Sequence, residues 1–216
     1  MTQIKACLFD LDGVVVDTAK YHFIAWKELA NELGFDFTEA DNERLKGVSR
    51  VRSLEILLEI GGIELDEERK EQLAAQKNEN YVSYIRKMKP DEILPGVEDF
   101  LNQLRKNGIL IALGSASKNA PLILKQIGLT HMFDAIIDGN SVSKAKPDPE
   151  VFLKGAEALN VKPTDCVVFE DAQAGIEAAR NAGMHVIGIG HPDNLKNADF
   201  VMPGFEDMNI DKLNFN

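Results

Sequence analysis

From residue 95 onward, short apolar runs alternate with stretches of helical period, and this alternation narrows the fold more than any other feature of the chain. The runs are ILIALG (109–114), AII (135–137), CVVF (166–169), HVIGIG (185–190) and DFVM (199–202), preceded near the start by IKACLF (4–9). They are too short for helices and several are β-branched, so they read as strands. Between them, PGVEDFLNQLRKNG sets Val97, Phe100, Leu101 and Leu104 at helical spacing, with Gly108 as its stop. KNAPLILKQIG and AQAGIEAARNAG close in the same way at Gly128 and Gly183. DPEVFLKGAEAL opens with Asp148 as N-cap and Pro149 at the first helical position. The fold class implied is α/β, a doubly wound, Rossmann-like parallel sheet covered on both faces. Such sheets bind ligands beyond the carboxyl ends of their strands.

Residues 17–87 break this rhythm and read as helices only. AKYHFIAWKELANELG carries an apolar stripe at Phe23, Trp26, Leu29, Ala30 and Leu33. SRVRSLEILLEIGG offers Ser49 as N-cap, and LDEERKEQLAAQKNENYVSYIRKM is a long helix ended by Pro90. The expected organisation is therefore a catalytic core of 1–16 and 88–216, with a helical cap, 17–87, inserted after the first strand. The net charge of −11 argues against sequence-independent binding to nucleic acid or an anionic membrane. No apolar stretch approaches the roughly 18 residues of a spanning helix. MTQIKACLFDLD lacks the features of a signal peptide. Cys7 and Cys166 lie in apolar runs and are expected to be buried thiols. A cytoplasmic monomer is expected.

The chemistry lies in the residues directly beyond each strand. Asp10 and Asp12 come after the first, and Ser115, Ala116, Ser117, Lys118 and Asn119 after the second. Lys146 stands in KAKPDP before a helix, and Glu170 and Asp171 come after CVVF. Taken singly each has a plain reading: DLDG as a polar turn, the serines as N-caps, ED as a solvated loop. The order and placement of all four sets argue for a site. Four acids and a lysine at one sheet edge call for a cation, and hard oxygen donors suit Mg²⁺. Asp10 can attack phosphorus and carry an aspartyl phosphate. Asp12 can act as general acid and base. Ser115 and nearby N–H groups can hold phosphoryl oxygens, and Lys146 can neutralise nucleophile and phosphate.

DLDGVVVDT, GSAS, KPDP and FEDAQAG resemble, in order, the four motifs of the haloacid dehalogenase-like (HAD) superfamily of phosphotransferases. The resemblance covers the whole chain and implies a doubly wound core with a mobile helical cap. It assigns Asp10, Asp12, Ser115, Lys146 and Asp171 these same roles. It also implies that the backbone carbonyl of Asp12, rather than its carboxylate, binds Mg²⁺, within a metal set of Asp10, Asp12, Glu170 and Asp171.

DTAKYHFIAWK, LKGVSR, QKNENY and SASKN are similar to one branch of that superfamily, isomerases of carbohydrate metabolism. Its members interconvert β-glucose 1-phosphate and glucose 6-phosphate through β-glucose 1,6-bisphosphate. On this resemblance Arg50 grips the phosphate that is not being transferred. Gly47, Val48 and Ser49 lie against the sugar, and Trp26 shapes that pocket. His22 and Lys77 position substrate and Asp12, and Ala116, Ser117, Lys118 and Asn119 contact substrate from the core. By default, Trp26 would be packing, His22 a satisfied hinge histidine and Lys77 a surface charge. Ala172 and Ala145 depart modestly from the family pattern, and the tail after residue 204 is short.

Two other functions fit parts of this pattern. A sugar-phosphate phosphatase shares Asp10, Asp12, Lys146 and Asp171 but has no need of Arg50. A signalling phospho-acceptor domain also uses an Asp, Mg²⁺, a hydroxyl and a Lys, but the helical insertion and Asp12 argue against it.

Overall fold

The computed structural model describes residues 4–45 and 48–215. The chain divides into two compact units, Met1–Asp17 with Lys89–Asn216, and Thr18–Met88.

The first unit is built on a parallel sheet. Its strands among the described residues are β1 (Ala6–Phe9), β2 (Leu110–Gly114), β3 (Ala135–Ile137), β4 (Cys166–Glu170), β5 (His185–Ile189) and β6 (Phe200–Met202), in the order β3-β2-β1-β4-β5-β6. Every neighbouring pair is parallel, and β1 runs in register with Leu110–Leu113 on one side and Cys166–Phe169 on the other. The chain moves outward from β1 to β2 and β3, then returns to place β4 on the other flank of β1. The crevice at that reversal is where doubly wound sheets hold ligands.

Alternation along β1 sends Ala6 and Leu8 to one face and Cys7 and Phe9 to the other. On the first face they join Val151, Phe152, Cys166, Val168 and Ile176 in one core. On the second, Phe9 stacks on Phe169 at 4.6 Å, with Phe100 and Phe205 packed around the pair. Cys7 and Cys166 are free, buried thiols on adjacent strands. Burial raises both, Cys166 to about 12, so neither is a ready thiolate.

Helices of the chain complete both units: α1 (Ala19–Glu32), α2 (Glu39–Glu43), α3 (Arg50–Gly61), α4 (Glu67–Ile85), α5 (Val97–Lys106), α6 (Ala120–Gln126), α7 (Glu150–Ala158) and α8 (Gln173–Asn181). Gly108, Gly128 and Gly183 follow α5, α6 and α8 at positive φ. Helix α7 starts later than the Asp148–Pro149 pattern suggests. Pro149 is the cap residue itself, and Asp148 reaches past it to accept the Glu150 N–H at 3.0 Å. Helix α4 stops at Ile85, before Pro90, which instead opens a 3-10 turn. Helix α2 is an addition: Thr38 and Asp41 form a capping box around it.

The second unit packs α1, α3 and α4 around Trp26, Leu29, Phe37, Leu54, Leu57 and Leu73. Ser49 caps α3, accepting the Arg52 N–H at 3.3 Å, and Asp66 caps α4. None of the helices is long and apolar enough to cross a membrane, among the described residues.

Candidate active site

β1 and β4 end side by side, and the Asp10 N–H extends their pairing by donating to the Phe169 carbonyl at 3.0 Å. The chain then turns away from the sheet. The Asp12 N–H folds back onto Asp10 Oδ2 at 3.1 Å, and Gly13 takes φ +80° to complete the turn. A Cβ on Gly13 would fall inside the Asp171 carboxylate, so the bare glycine lets the turn lie against that acid. Gly13→Ala is therefore expected to cost about 1–2 kcal/mol for the left-handed backbone alone. It should also displace Asp171. Urea denaturation checks the first effect, and a parallel loss of phosphoryl transfer checks the second. Wild-type values of both would mean that the turn tolerates a side chain.

Lys146 draws the site together. Its Nζ donates to Asp10 Oδ1 at 2.6 Å and to Glu170 Oε1 at 2.6 Å, with the ring of Phe152 4.7 Å away. The Lys146 side chain is 8% exposed. Burial opposes its charge, but Asp10 and Glu170 outweigh burial and hold the ammonium above its ordinary pKa. Glu170 Oε2 accepts the Ala172 N–H at 2.8 Å, so both of its oxygens are engaged by protein donors. Burial, opposed by Lys146, raises its carboxyl.

Asp171 differs from its neighbour. No protein donor reaches its carboxylate among the described residues. Burial, then Glu170, Asp10 and Asp12, push it up to about 8. A half-buried carboxylate crowded by three others and lacking a donor suits a hard cation. Among the described residues, no three His, Cys, Asp or Glu side chains converge closely enough to ligate one ion by themselves. Mg²⁺ commonly takes one or two carboxylates and completes its shell with waters and substrate phosphate. The Asp171 carboxylate fits that ion, whereas both oxygens of Asp10 and both of Glu170 already accept from protein donors.

The loop after β2 leaves the same sheet edge. Ser115 is buried, its N–H donates to the Ile137 carbonyl, and its Oγ accepts the Ser117 N–H at 3.0 Å. Ser117 Oγ accepts the Asn119 N–H at 3.2 Å, immediately ahead of α6. Ala116, Ser117, Lys118 and Asn119 thus form a tightly wound loop whose Ser115 O–H remains able to donate.

In the second unit the structure gathers cationic groups around aromatic rings. Lys77 is 3% exposed, and its Nζ sits 2.8 Å from His22 Nδ1, 4.4 Å from the Trp26 ring centre and 4.9 Å from that of Tyr81. Burial, then Lys77 and Arg50, lower His22 well below its ordinary pKa. The imidazole is therefore neutral and accepts from the ammonium. Tyr81 stacks on that ring at 4.1 Å. Arg50 Nη2 donates to Asn78 Oδ1 at 2.7 Å. Trp26 packs in the helical core while presenting its ring to Lys77. Val48 and Ser49 lie at the start of α3, where Ser49 is exposed, and Gly47 lies outside the described residues.

Sequence reasoning missed Phe152, Tyr81 and Asn78, which hold Lys146, His22 and Arg50. The spacing on α4 signalled one of them. Its buried residues are Leu73, Lys77, Tyr81 and Ile85, four apart throughout, so Lys77 and Tyr81 share the inward stripe.

Comparison with known proteins agrees with this geometry. The β-phosphoglucomutase of Bacillus subtilis is 43% identical over 212 residues, covering 97% of this chain and 94% of that protein. The fructose-1-phosphate phosphatase YqaB of Escherichia coli is 34% identical, covering 84% of this chain and 94% of that protein. A crystal structure of β-phosphoglucomutase from Clostridium difficile superposes with a TM-score of 0.92 at 43% identity, covering 98% and 96% of the two chains. The family model for haloacid dehalogenase-like hydrolases matches residues 4–183, across both units. With a match of that extent, the chain belongs to the haloacid dehalogenase-like hydrolase family.

Proposed function

We propose that this chain is an isomerase that interconverts β-glucose 1-phosphate and glucose 6-phosphate through β-glucose 1,6-bisphosphate, the activity of a β-phosphoglucomutase. The observation that carries the reading is the cationic cluster of the helical unit. A phosphatase acting on a small monophosphate needs one phosphate station, formed here by Asp10, Ser115 and Lys146. A mutase must also hold the second phosphate of a bisphosphate, whichever end is reacting. Arg50, braced by Asn78, and the ammonium of Lys77 supply charge of the right sign for that task. The 43% identity to the Bacillus subtilis mutase supports the same choice.

In this reading Asp10 attacks phosphorus and carries the phosphoryl group as an aspartyl phosphate. Lys146 neutralises Asp10 and the transferring oxygens, and Ser115 donates to one of them. Asp12 protonates the leaving sugar oxygen and later takes the proton of the incoming hydroxyl. Mg²⁺ bound by Asp10, Asp171 and the Asp12 carbonyl, with Glu170 behind them, would supply further positive charge to the phosphoryl oxygens. Neutral His22 and Lys77, with Trp26 beneath, orient substrate, while Gly47, Val48 and Ser49 border the sugar. Ala116, Ser117, Lys118 and Asn119 hold it from the core. The unit Thr18–Met88 acts as a cap that keeps water from the phosphoaspartate. We further propose a cytoplasmic monomer that works on sugar phosphates; the net charge of −11 argues against sequence-independent binding to nucleic acid or an anionic membrane.

The test is a paired assay with Mg²⁺, β-glucose 1-phosphate and a trace of β-glucose 1,6-bisphosphate. Glucose 6-phosphate should form rapidly with little inorganic phosphate. Phosphate release without glucose 6-phosphate would instead establish a phosphatase, a reading that the likeness to the Escherichia coli phosphatase keeps in play. Arg50→Ala separates the two further. It should raise the KM for the bisphosphate by about two orders of magnitude, the worth of one lost charge-assisted phosphate contact of about 3 kcal/mol. Hydrolysis of acetyl phosphate should change little. Equal losses on both substrates would make Arg50 a structural residue.

A further inference from the structure

The loop after β3 carries a buried acid with no part in the proposed chemistry. Asp138 is 8% exposed. Its Oδ1 accepts the Asn140 N–H at 3.0 Å, the Ser141 N–H at 3.1 Å and the Ser141 O–H at 2.9 Å. Its Oδ2 accepts Asn140 Nδ2 at 3.0 Å. Burial alone would raise this carboxyl, but the donors from Asn140 and Ser141 hold it below its ordinary range. Four hydrogen bonds into one short turn are more than a chain reversal requires.

The turn they rigidify leans on the loop after β2 at three successive residues. A Cβ on Gly139 would collide with the Ala116 carbonyl, so the two backbones touch there. The Gly139 N–H donates to the Ser117 carbonyl at 3.2 Å. Asn140 Nδ2, the same group that Asp138 Oδ2 holds, donates to the Lys118 carbonyl at 3.3 Å. Ser115 is anchored separately, through its N–H to Ile137. We infer that Asp138 is a positioning residue, which fixes the 116–118 backbone against substrate through Gly139 and the Asn140 side chain. The inference rests on the proposed role of Ser117, Lys118 and Asn119 in holding the sugar phosphate.

Asp138→Asn isolates this relay. An amide oxygen can keep the three contacts now made by Oδ1, so the turn survives. The NH₂ that replaces Oδ2 faces the Asn140 NH₂, and two donors repel. Asn140→Ala removes the same link from the other side.

Hydrogen exchange on the substrate-free protein is the first readout. The amides of Ser117, Asn119 and Gly139 should exchange about tenfold faster in either variant, with β1, β2 and β4 protected as in wild type. Kinetics is the second. The KM for β-glucose 1-phosphate should rise about tenfold, while phosphorylation by acetyl phosphate, served by Asp10, Ser115 and Lys146, stays within about twofold. The double variant should be no worse than either single one. Unchanged loop exchange, or faster exchange with an unmoved KM, would overturn the inference, and faster exchange everywhere would reduce Asp138 to a fold-stabilising acid. If wild type fails to turn over hexose phosphates, the proposed function falls. Acetyl phosphate and the exchange data then still decide whether the loop is held through Asp138.

Discussion

Asp10→Asn is expected to abolish both sugar-phosphate turnover and covalent labelling of the protein, a loss of at least about 10⁴-fold by analogy with other enzymes stripped of their nucleophile. The substitution preserves shape and removes two properties at once. An amide cannot carry the phosphoryl group, and it cannot serve two donors as the carboxylate does. Asp10 Oδ1 accepts from Lys146 while Oδ2 accepts the Asp12 N–H. With oxygen kept toward Lys146, the amide nitrogen must face the Asp12 N–H, and that hydrogen bond is lost. That lost hydrogen bond costs about 1 kcal/mol, and Lys146, deprived of the Asp10 charge, keeps Glu170 at 2.6 Å as its counter-ion, so a folded but inert protein is expected. Intact-protein mass spectrometry after mixing with acetyl phosphate should show no added phosphoryl group, and circular dichroism should match wild type. Persisting interconversion of the hexose phosphates would remove Asp10 as nucleophile and point to another strand end.

The core was legible because its physics is local. Short apolar runs between helical periods could only be strands, and each of IKACLF, ILIALG, AII, CVVF, HVIGIG and DFVM contains or overlaps one. Strand-end chemistry was legible for the same reason: a polar residue directly after a buried strand has few other places to be. The cap was harder. Lys77 reads as surface on a helix as charged as α4, and only the four-residue spacing with Leu73, Tyr81 and Ile85 marks it as inward. Its burial depends on rings from another helix, Trp26 and His22 on α1, which no local pattern announces. Helix α2 was readable in principle from Thr38 and Asp41 but carries too little apolar content to stand out. Asp138 was silent, since a polar residue after AII is ordinary until Asn140 and Ser141 are seen to enclose it. In each case the hidden element was a partner that local pattern does not name.

The second large effect falls on stability as well as rate. Lys146→Met keeps the bulk of the side chain and its contact with Phe152 but removes the charge that Asp10 and Glu170 share. Both acids are almost fully buried, with side chains 11% and 2% exposed. Taking away the common partner leaves carboxylates that water cannot easily reach, and breaking a buried ion pair from one side costs about 3–5 kcal/mol. That is a large share of the roughly 5–15 kcal/mol typical of a folded domain. Urea denaturation of the metal-free variant at neutral pH should show the loss as a lower midpoint with an unchanged slope. Phosphorylation by acetyl phosphate should slow by about 10³-fold under conditions where the variant is still folded, because the nucleophile and the transferring oxygens lose their fixed positive neighbour. The two effects separate the roles of the lysine. Lost stability with normal phosphorylation would make Lys146 a counter-charge for the fold, whereas lost phosphorylation at wild-type stability would mean that Asp10 and Glu170 find compensation elsewhere. Both losses together are what a single ammonium 2.6 Å from each acid should produce.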